Sequence, residues 1–425
     1  MYLRRKMSTY MYRTLVQRCP ENTILDILFV EPKIQEEYDE FWKPIIHNVN
    51  VTNKVEWDEY LPLWRALKLQ ARYNSPIFTS HGLGHSMRTA SIMDQLLCES
   101  YYLFETNQKI TRNMVLWTGL LHDLGYSEYD LCQQGNCEEM KQRLAPFLCG
   151  DCKLDATGLF EEAYHDKKFL HAQLGANMLK HIFLTSPRLF YSNVKTQILE
   201  AVQKHNSDSL AKTQYDPDKD GTLMSIHDMC LERKYNRVNM ATNPLLAMLR
   251  IADNLDISNV RLTPDQHSVI LILYQKWYHK HPRATSREKK NKWAHICELY
   301  QCDPSLSLRV LFQKSKPTDF VFTYSSWIIY SCKLVHYSWD HVQPYFEIDI
   351  ELYKSPIKEL SHIYNWNAAL YQLKRIYEAF KSIYIFGHRL SDIIHVRFLM
   401  GLYPLSELLK IESHPDYIKY AIHNH

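Results

Sequence analysis

The chain has 425 residues, more than one ordinary core requires, so two or three domains or one domain with large additions is expected. Hydrophobic residues at 46% and aromatic residues at 13% are ample for packed cores, and 11 glycines with 17 prolines exclude a low-complexity chain. A formal net charge of +3 leaves no broad electrostatic footprint for nucleic acid, and 10 cysteines in this length do not make a disulfide scaffold.

The basic start Met1-Tyr2-Leu3-Arg4-Arg5-Lys6 is followed by no apolar segment of the signal-peptide kind. No run of about 18 apolar residues suggests a membrane span. A cytoplasmic protein with reduced thiols is the expectation.

Residues 1–60 read as a helical extension, and Trp57 to Tyr73 as a helix closed by Asn74-Ser75-Pro76. Thr79 to Gly84 is a turn into a helix carrying Met87, Ala90, Ile92, Met93, Leu96 and Leu97, with His85 in its first turn and Arg88 three residues on. The next helix, Thr111 to Leu124, ends in His122-Asp123 and is broken by Gly125. Residues 127–165 read as a polar, cysteine-bearing insertion. A helix opens at Leu170-His171, and its Gly175 would let a neighbouring helix approach closely. Val194 to His205 is helical through Ile198, Ala201 and Val202. A polar excursion at 208–243 precedes a helix beginning at Pro244, a residue favoured in the first helical position, and carrying Asp253. Helical segments Gln266–Tyr278 and Trp293–Tyr300 flank a solvated basic connector, Arg283–Lys292.

Beyond about residue 300 the texture changes. Asp319–Tyr324, Trp327–Tyr330 and Tyr345–Leu352 are strand-like, helices resume from Pro356 to about Ile383, and a further helical stretch runs from Asp392 to the end. The expected division is thus 1–60, 60–300 and 301–425, the last an α+β region.

The candidate chemistry lies at the helix ends. A His-Asp dipeptide alone is weak, and this chain has three: His122-Asp123, His165-Asp166 and His227-Asp228. Only the first closes an apolar helix, where burying an imidazole beside a carboxylate is costly unless a metal holds both. His85, His171, His205 and Asp253 sit on other helices, and bundles build metal sites from inward-projecting side chains of this kind. Six such ligands exceed what one tetrahedral zinc needs. They suit two ions of higher coordination number, with Asp123 able to bridge them. Nitrogen and oxygen donors leave iron, manganese, zinc, cobalt and magnesium open. His81, four residues before His85 but separated from it by glycines, reads as an outer or substrate contact rather than a ligand.

In their order and composition, His85-Ser86-Met87-Arg88-Thr89-Ala90, Leu121-His122-Asp123-Leu124-Gly125, His171 to Ala176, Lys204-His205-Asn206 and Ala252 to Ser258 resemble the HD-domain metal-dependent phosphohydrolases, over roughly residues 60–265. The resemblance implies a mainly α fold, an all-α helical bundle carrying the N-terminal helical extension and the C-terminal α+β part. It implies that His85, His122, Asp123 and Asp253 match the family's minimal metal set, and His171 and His205 the extra histidines of two-metal members. Many members carry a phosphate-binding lysine where this chain has Tyr126. Arg88, Lys204, Arg250 and Arg261 are the cations available instead.

The implied function is a phosphohydrolase or phosphodiesterase acting on a nucleotide or another small phosphorylated substrate through metal-activated water. Asp123 would bridge the ions or accept a proton, and Arg88, Lys204 or Arg250 would bind phosphate. A di-iron oxygenase and a regulatory protein retaining the metal core are the alternatives. Elsewhere, Cys132, Cys137, Cys149 and Cys152 read as free thiols or as the ligands of a structural zinc. Asp216-x-Asp218-x-Asp220-Gly221 reads as a polar turn, because a calcium loop needs glutamate at the position that His227 occupies.

Overall fold

A computed structural model describes residues 62–63, 66–67, 81–100, 110–126, 156–206, 209–210, 233–262, 329–352, 361–398 and 401–410. The expected N-terminal extension, most of the cysteine-bearing insertion with its four cysteines, the turn at Asp216–Gly221, His227-Asp228, the segments between 263 and 328 and the last fifteen residues lie outside the described residues. The chain divides into two compact units. The first is Met1–Asn74, His81–Asp208 and Val238–Asp253, and the second is Ser75–Ser80, Ser209–Arg237 and Asn254–His425.

The first unit is built on helices α1 (Leu83–Ser100), α2 (Arg112–Leu121), α3 (Ala156–Thr185), α4 (Ser192–Lys204) and α5 (Pro244–Leu255). The α2 helix is its centre: every residue from Met114 to Leu121 is buried, as expected of a helix that is apolar all round. Thr111 caps its start by accepting from the Met114 amide at 3.3 Å. The α1 helix packs on α2, α4 on α2, and α3 on α4. The first crossing is close because Gly119 has no side chain. A Cβ there would lie 2.5 Å from the Ala90 Cα. The α4 helix buries Ile198, Ala201 and Val202, the face read from the sequence. The α5 helix follows a turn in which the Asn239 side chain accepts from the Ala241 amide at 2.9 Å and the Asn239 carbonyl accepts from the Asn243 amide at 2.8 Å.

The second unit contains a short antiparallel pair, β1 (Ser209–Leu210) with β2 (Arg233–Lys234), and a mixed four-stranded sheet. Strand β3 (Ile329–Ser338) runs antiparallel to β4 (Tyr345–Leu352). Strand β4 runs parallel to β5 (Ile394–Phe398), and β5 antiparallel to β6 (Gly401–Pro404). Alternation sets the two faces: Phe346, Ile348 and Ile350 of β4 and Ile394, Val396 and Phe398 of β5 are buried. Helix α6 (Ser361–Phe380) sets Phe380 edge-on to Phe346, with ring centroids 6.0 Å apart. On the opposite face, Glu347 accepts from the Tyr345 hydroxyl at 2.7 Å and from the Arg397 guanidinium.

The expectation of a mainly α fold does not hold. The described residues are 55% helical and 21% strand, with mixed sheets among them. Ile394–Phe398 and Gly401–Pro404, read as helical, are strands. The cause is local: Ile394, Val396 and Phe398 alternate with His395 and Arg397, a period-two pattern too short to stand out in an aromatic-rich segment. Strand β3 extends well past Tyr330, and register irregularities between Ile329 and Ser331 and between Leu334 and His336 break the alternation that would mark its later part in the sequence. No helix among the described residues is long and apolar enough to cross a membrane.

Candidate metal centre

Six side chains from five places in the chain meet in the first unit: His85 of α1, His122 and Asp123 at the end of α2, His171 of α3, His205 at the end of α4 and Asp253 of α5. His122 and His205 occupy equivalent positions, each the residue that closes its helix. Each points Nδ1 at the carbonyl three residues back, His122 at Gly119 (2.8 Å) and His205 at Val202 (2.6 Å). A carbonyl only accepts, so Nδ1 carries the proton and Nε2 is turned into the site. The same bonds satisfy carbonyls that a helix end leaves open.

The two oxygens of Asp123 face different partners. Oδ2 lies 3.2 Å from Nε2 of both His85 and His122, and Asp253 Oδ1 lies 3.2 Å from His85 Nε2 and 3.8 Å from His122 Nε2. Oδ1 lies 3.4 Å from His171 Nε2 and 3.7 Å from His205 Nε2. Within each group two ring nitrogens face each other at 3.2 Å, His85 with His122 and His171 with His205.

These residues fit metal ions on three counts. Asp123 Oδ2 is buried and accepts no hydrogen bond. With their ring protons on Nδ1, His122 and His205 each direct an Nε2 lone pair at a facing imidazole nitrogen, a pairing that an ion between the two rings can take up. Two nitrogens bound about 2.1 Å from one ion stand about 3.0 Å apart at a right angle and about 3.4 Å at the tetrahedral angle, which brackets the observed separation. His85, His122 and Asp253 form one group able to hold an ion, and His122, Asp123 and His205 another.

The electrostatics agree. Burial would lower the pKa of His122, but Asp123 and Asp253 outweigh it and raise it to about 10. Burial pushes His171 down to about 3, despite the attraction of Asp123. Burial opposes ionisation of Asp123 and Asp253, yet the surrounding imidazoles, His122 foremost, hold both well below the usual carboxylate range. The cluster therefore retains two carboxylates and draws in positive charge.

The cations expected to meet phosphate are placed differently from one another. Arg88 is buried, 9% exposed, one turn beyond His85 on α1. Arg250 is fully buried, and its Nε and Nη2 donate to the Lys204 carbonyl at 3.2 and 2.6 Å, tying α5 to the end of α4 beside His205. Lys204 is 46% exposed and its Nζ pairs with Glu200 on its own helix at 2.9 Å. Arg261 donates to the Asp256 carbonyl at 2.9 Å.

The turn after Asp123 holds what the sequence pattern did not reveal. A Cβ on Gly125 would fall 1.9 Å from the His171 carbonyl oxygen, and one on Gly175 would lie 3.1 Å from the Gly125 nitrogen, so the two glycines let α3 close onto this turn. Tyr126 stacks on the His171 ring, centroids 4.1 Å apart and planes at 18°. His81 lies against Tyr126 at 4.5 Å and edge-on to His85 at 5.6 Å. An aromatic residue immediately after a ligand-bearing turn is the only signal in the sequence that could have drawn notice to this contact.

Comparison with protein-family models, with curated proteins and with solved structures finds no match to this chain.

Proposed function

We propose that the protein is a metal-dependent phosphohydrolase or phosphodiesterase of the HD type, acting on a nucleotide or another small phosphorylated molecule. The observation that supports this reading most is the division of the Asp123 carboxylate. One oxygen faces His85 and His122 and the other faces His171 and His205, the geometry of a bridging ligand between two ions. His85, His122, Asp253 and Asp123 Oδ2 would hold one ion, and His171, His205 and Asp123 Oδ1 the other. Four imidazoles favour iron, zinc, cobalt or manganese over magnesium.

When bound, the ions would supply a hydroxide near neutral pH and neutralise charge on the phosphoryl oxygens. The protein's own groups do the rest. His122 and His205 are locked in one tautomer by their Nδ1 bonds, so both present Nε2 without reorganisation. Arg88 is the cation we assign to the phosphate, being buried on the same helix face as His85. Arg250 holds the end of α4, and with it His205, in place.

The test is elemental analysis of the purified full-length chain, followed by a panel of nucleotides, phosphomonoesters and phosphodiesters with each candidate metal. Metal-dependent release of phosphate or cleavage of a diester, abolished in Asp123→Ala, is expected. Inertness across the panel with both ions bound, or oxygen uptake by the iron-loaded protein in place of hydrolysis, would overturn the reading.

A further inference from the structure

We propose that Tyr126 is a positioning residue that fixes His171 for the ion held by His171, His205 and Asp123 Oδ1. The proposal rests on the two-ion reading above and concerns how one of the two subsites is kept in shape.

The two subsites are built differently. His122 and His205 close their helices and are steered by bonds to carbonyls three residues back. His171 comes from the interior of α3 rather than from a helix end, and an aromatic ring from outside its helix lies against it. Tyr126 lies nearly parallel to that ring at stacking distance. Its own position is fixed by the site, because its amide donates to the Asp123 carbonyl at 2.9 Å. Gly125, between them, is pressed against the His171 carbonyl. One short turn thus supplies the shared carboxylate, the contact that seats the His171 backbone and the ring that orients its side chain.

On its second flank Tyr126 meets His81, which also touches His85 of the other subsite. With a side chain only 9% exposed, the ring is placed to hold a ligand rather than to meet a bulky substrate. Stacking needs the ring and not the hydroxyl, so phenylalanine satisfies this role and an aliphatic residue does not.

The experiment is equilibrium dialysis of the full chain against Mn(II) or Co(II), with elemental analysis for stoichiometry and thermal melting as a folding control. Wild type is expected to bind two ions. Tyr126→Leu should keep one at wild-type affinity and bind the other about 10–100-fold more weakly, the usual loss when a ligand's supporting contact is removed. Tyr126→Phe should bind both as wild type does. The double variant Tyr126→Leu/His205→Ala should bind as His205→Ala alone, because both changes strike the same subsite. Tyr126→Met keeps bulk without a ring and makes the same comparison should the leucine variant not fold. Equal binding by wild type and the leucine variant, loss of both ions together, or failure of Tyr126→Phe to preserve binding would each overturn the proposal. A wild-type chain that binds no second ion would instead overturn the two-ion reading beneath it.

Discussion

His85 and His122 turn their Nε2 atoms toward each other at 3.2 Å, although the Nδ1 proton of His122 is committed to the Gly119 carbonyl. The Nε2 lone pair of His122 is therefore directed at His85, where it can accept a ring proton or bind an ion. Without metal, Asp123 and Asp253 favour the protonated His122 ring against the effect of burial. Ions bound by the folded chain alone therefore stabilise it, by about 2.7 kcal/mol at a free concentration one hundred times the dissociation constant. Chelation should lower the melting temperature, and add-back should restore it. An unchanged melting curve under chelator would count against an ion at this site.

Arg250 and Lys204 separate a structural cation from a solvated one. Arg250→Met removes both donors from the part-buried Lys204 carbonyl and leaves a cavity where a fully buried side chain stood, and an acceptor left without its partners costs about 1–3 kcal/mol. Lys204→Ala deletes an exposed pair worth at most about 1 kcal/mol. Urea unfolding of the two variants should show a large loss for the first and little change for the second. A destabilised Lys204→Ala protein would contradict this assignment.

The placement of these two cations shows how far the sequence could be read. Spacing put Arg250 three residues before Asp253, on its helix face, but spacing does not tell what already fills that face. The helix-end positions of His122 and His205 were legible because an apolar run and its terminator mark a helix end locally. The contact of Tyr126 with His171 joins residues 45 positions apart and leaves no periodic trace. In the second unit, Tyr345–Leu352 was legible as a strand from its alternation, whereas Ile394–Phe398 was not. A five-residue strand carries only three inward positions, too few for a period of two to stand out.

The approach of Gly125 to His171 makes a graded prediction. Alanine at Gly125 would place its Cβ 1.9 Å from the His171 carbonyl oxygen, a backbone atom that cannot swing away, whereas alanine at Gly175 meets its nearest neighbour at 3.1 Å. Gly125→Ala should therefore lose at least about 1–3 kcal/mol, the usual cost of overpacking, and Gly175→Ala clearly less. Urea midpoints of the two variants measured side by side give the comparison. Equal losses would show that α3 does not rest on this turn.

Glu347 links the polar face of the sheet to pH. Burial would raise its pKa, but the Tyr345 hydroxyl and the Arg397 guanidinium both donate to it and hold it below the usual carboxylate value. A carboxylate whose folded pKa is depressed contributes stability that is fully present above its unfolded pKa of about 4.3 and is lost as pH falls through the folded value. Glu347→Gln carries no such charge at any pH. Its deficit relative to wild type should be constant near neutrality and should shrink as pH falls below about 4.3. Urea midpoints of both proteins from pH 7 to pH 3 test this directly. Buffers in that range protonate other carboxylates equally in the two proteins, so the difference isolates Glu347. A deficit that stays constant through the acid range would mean that the charge on Glu347 contributes nothing to the fold.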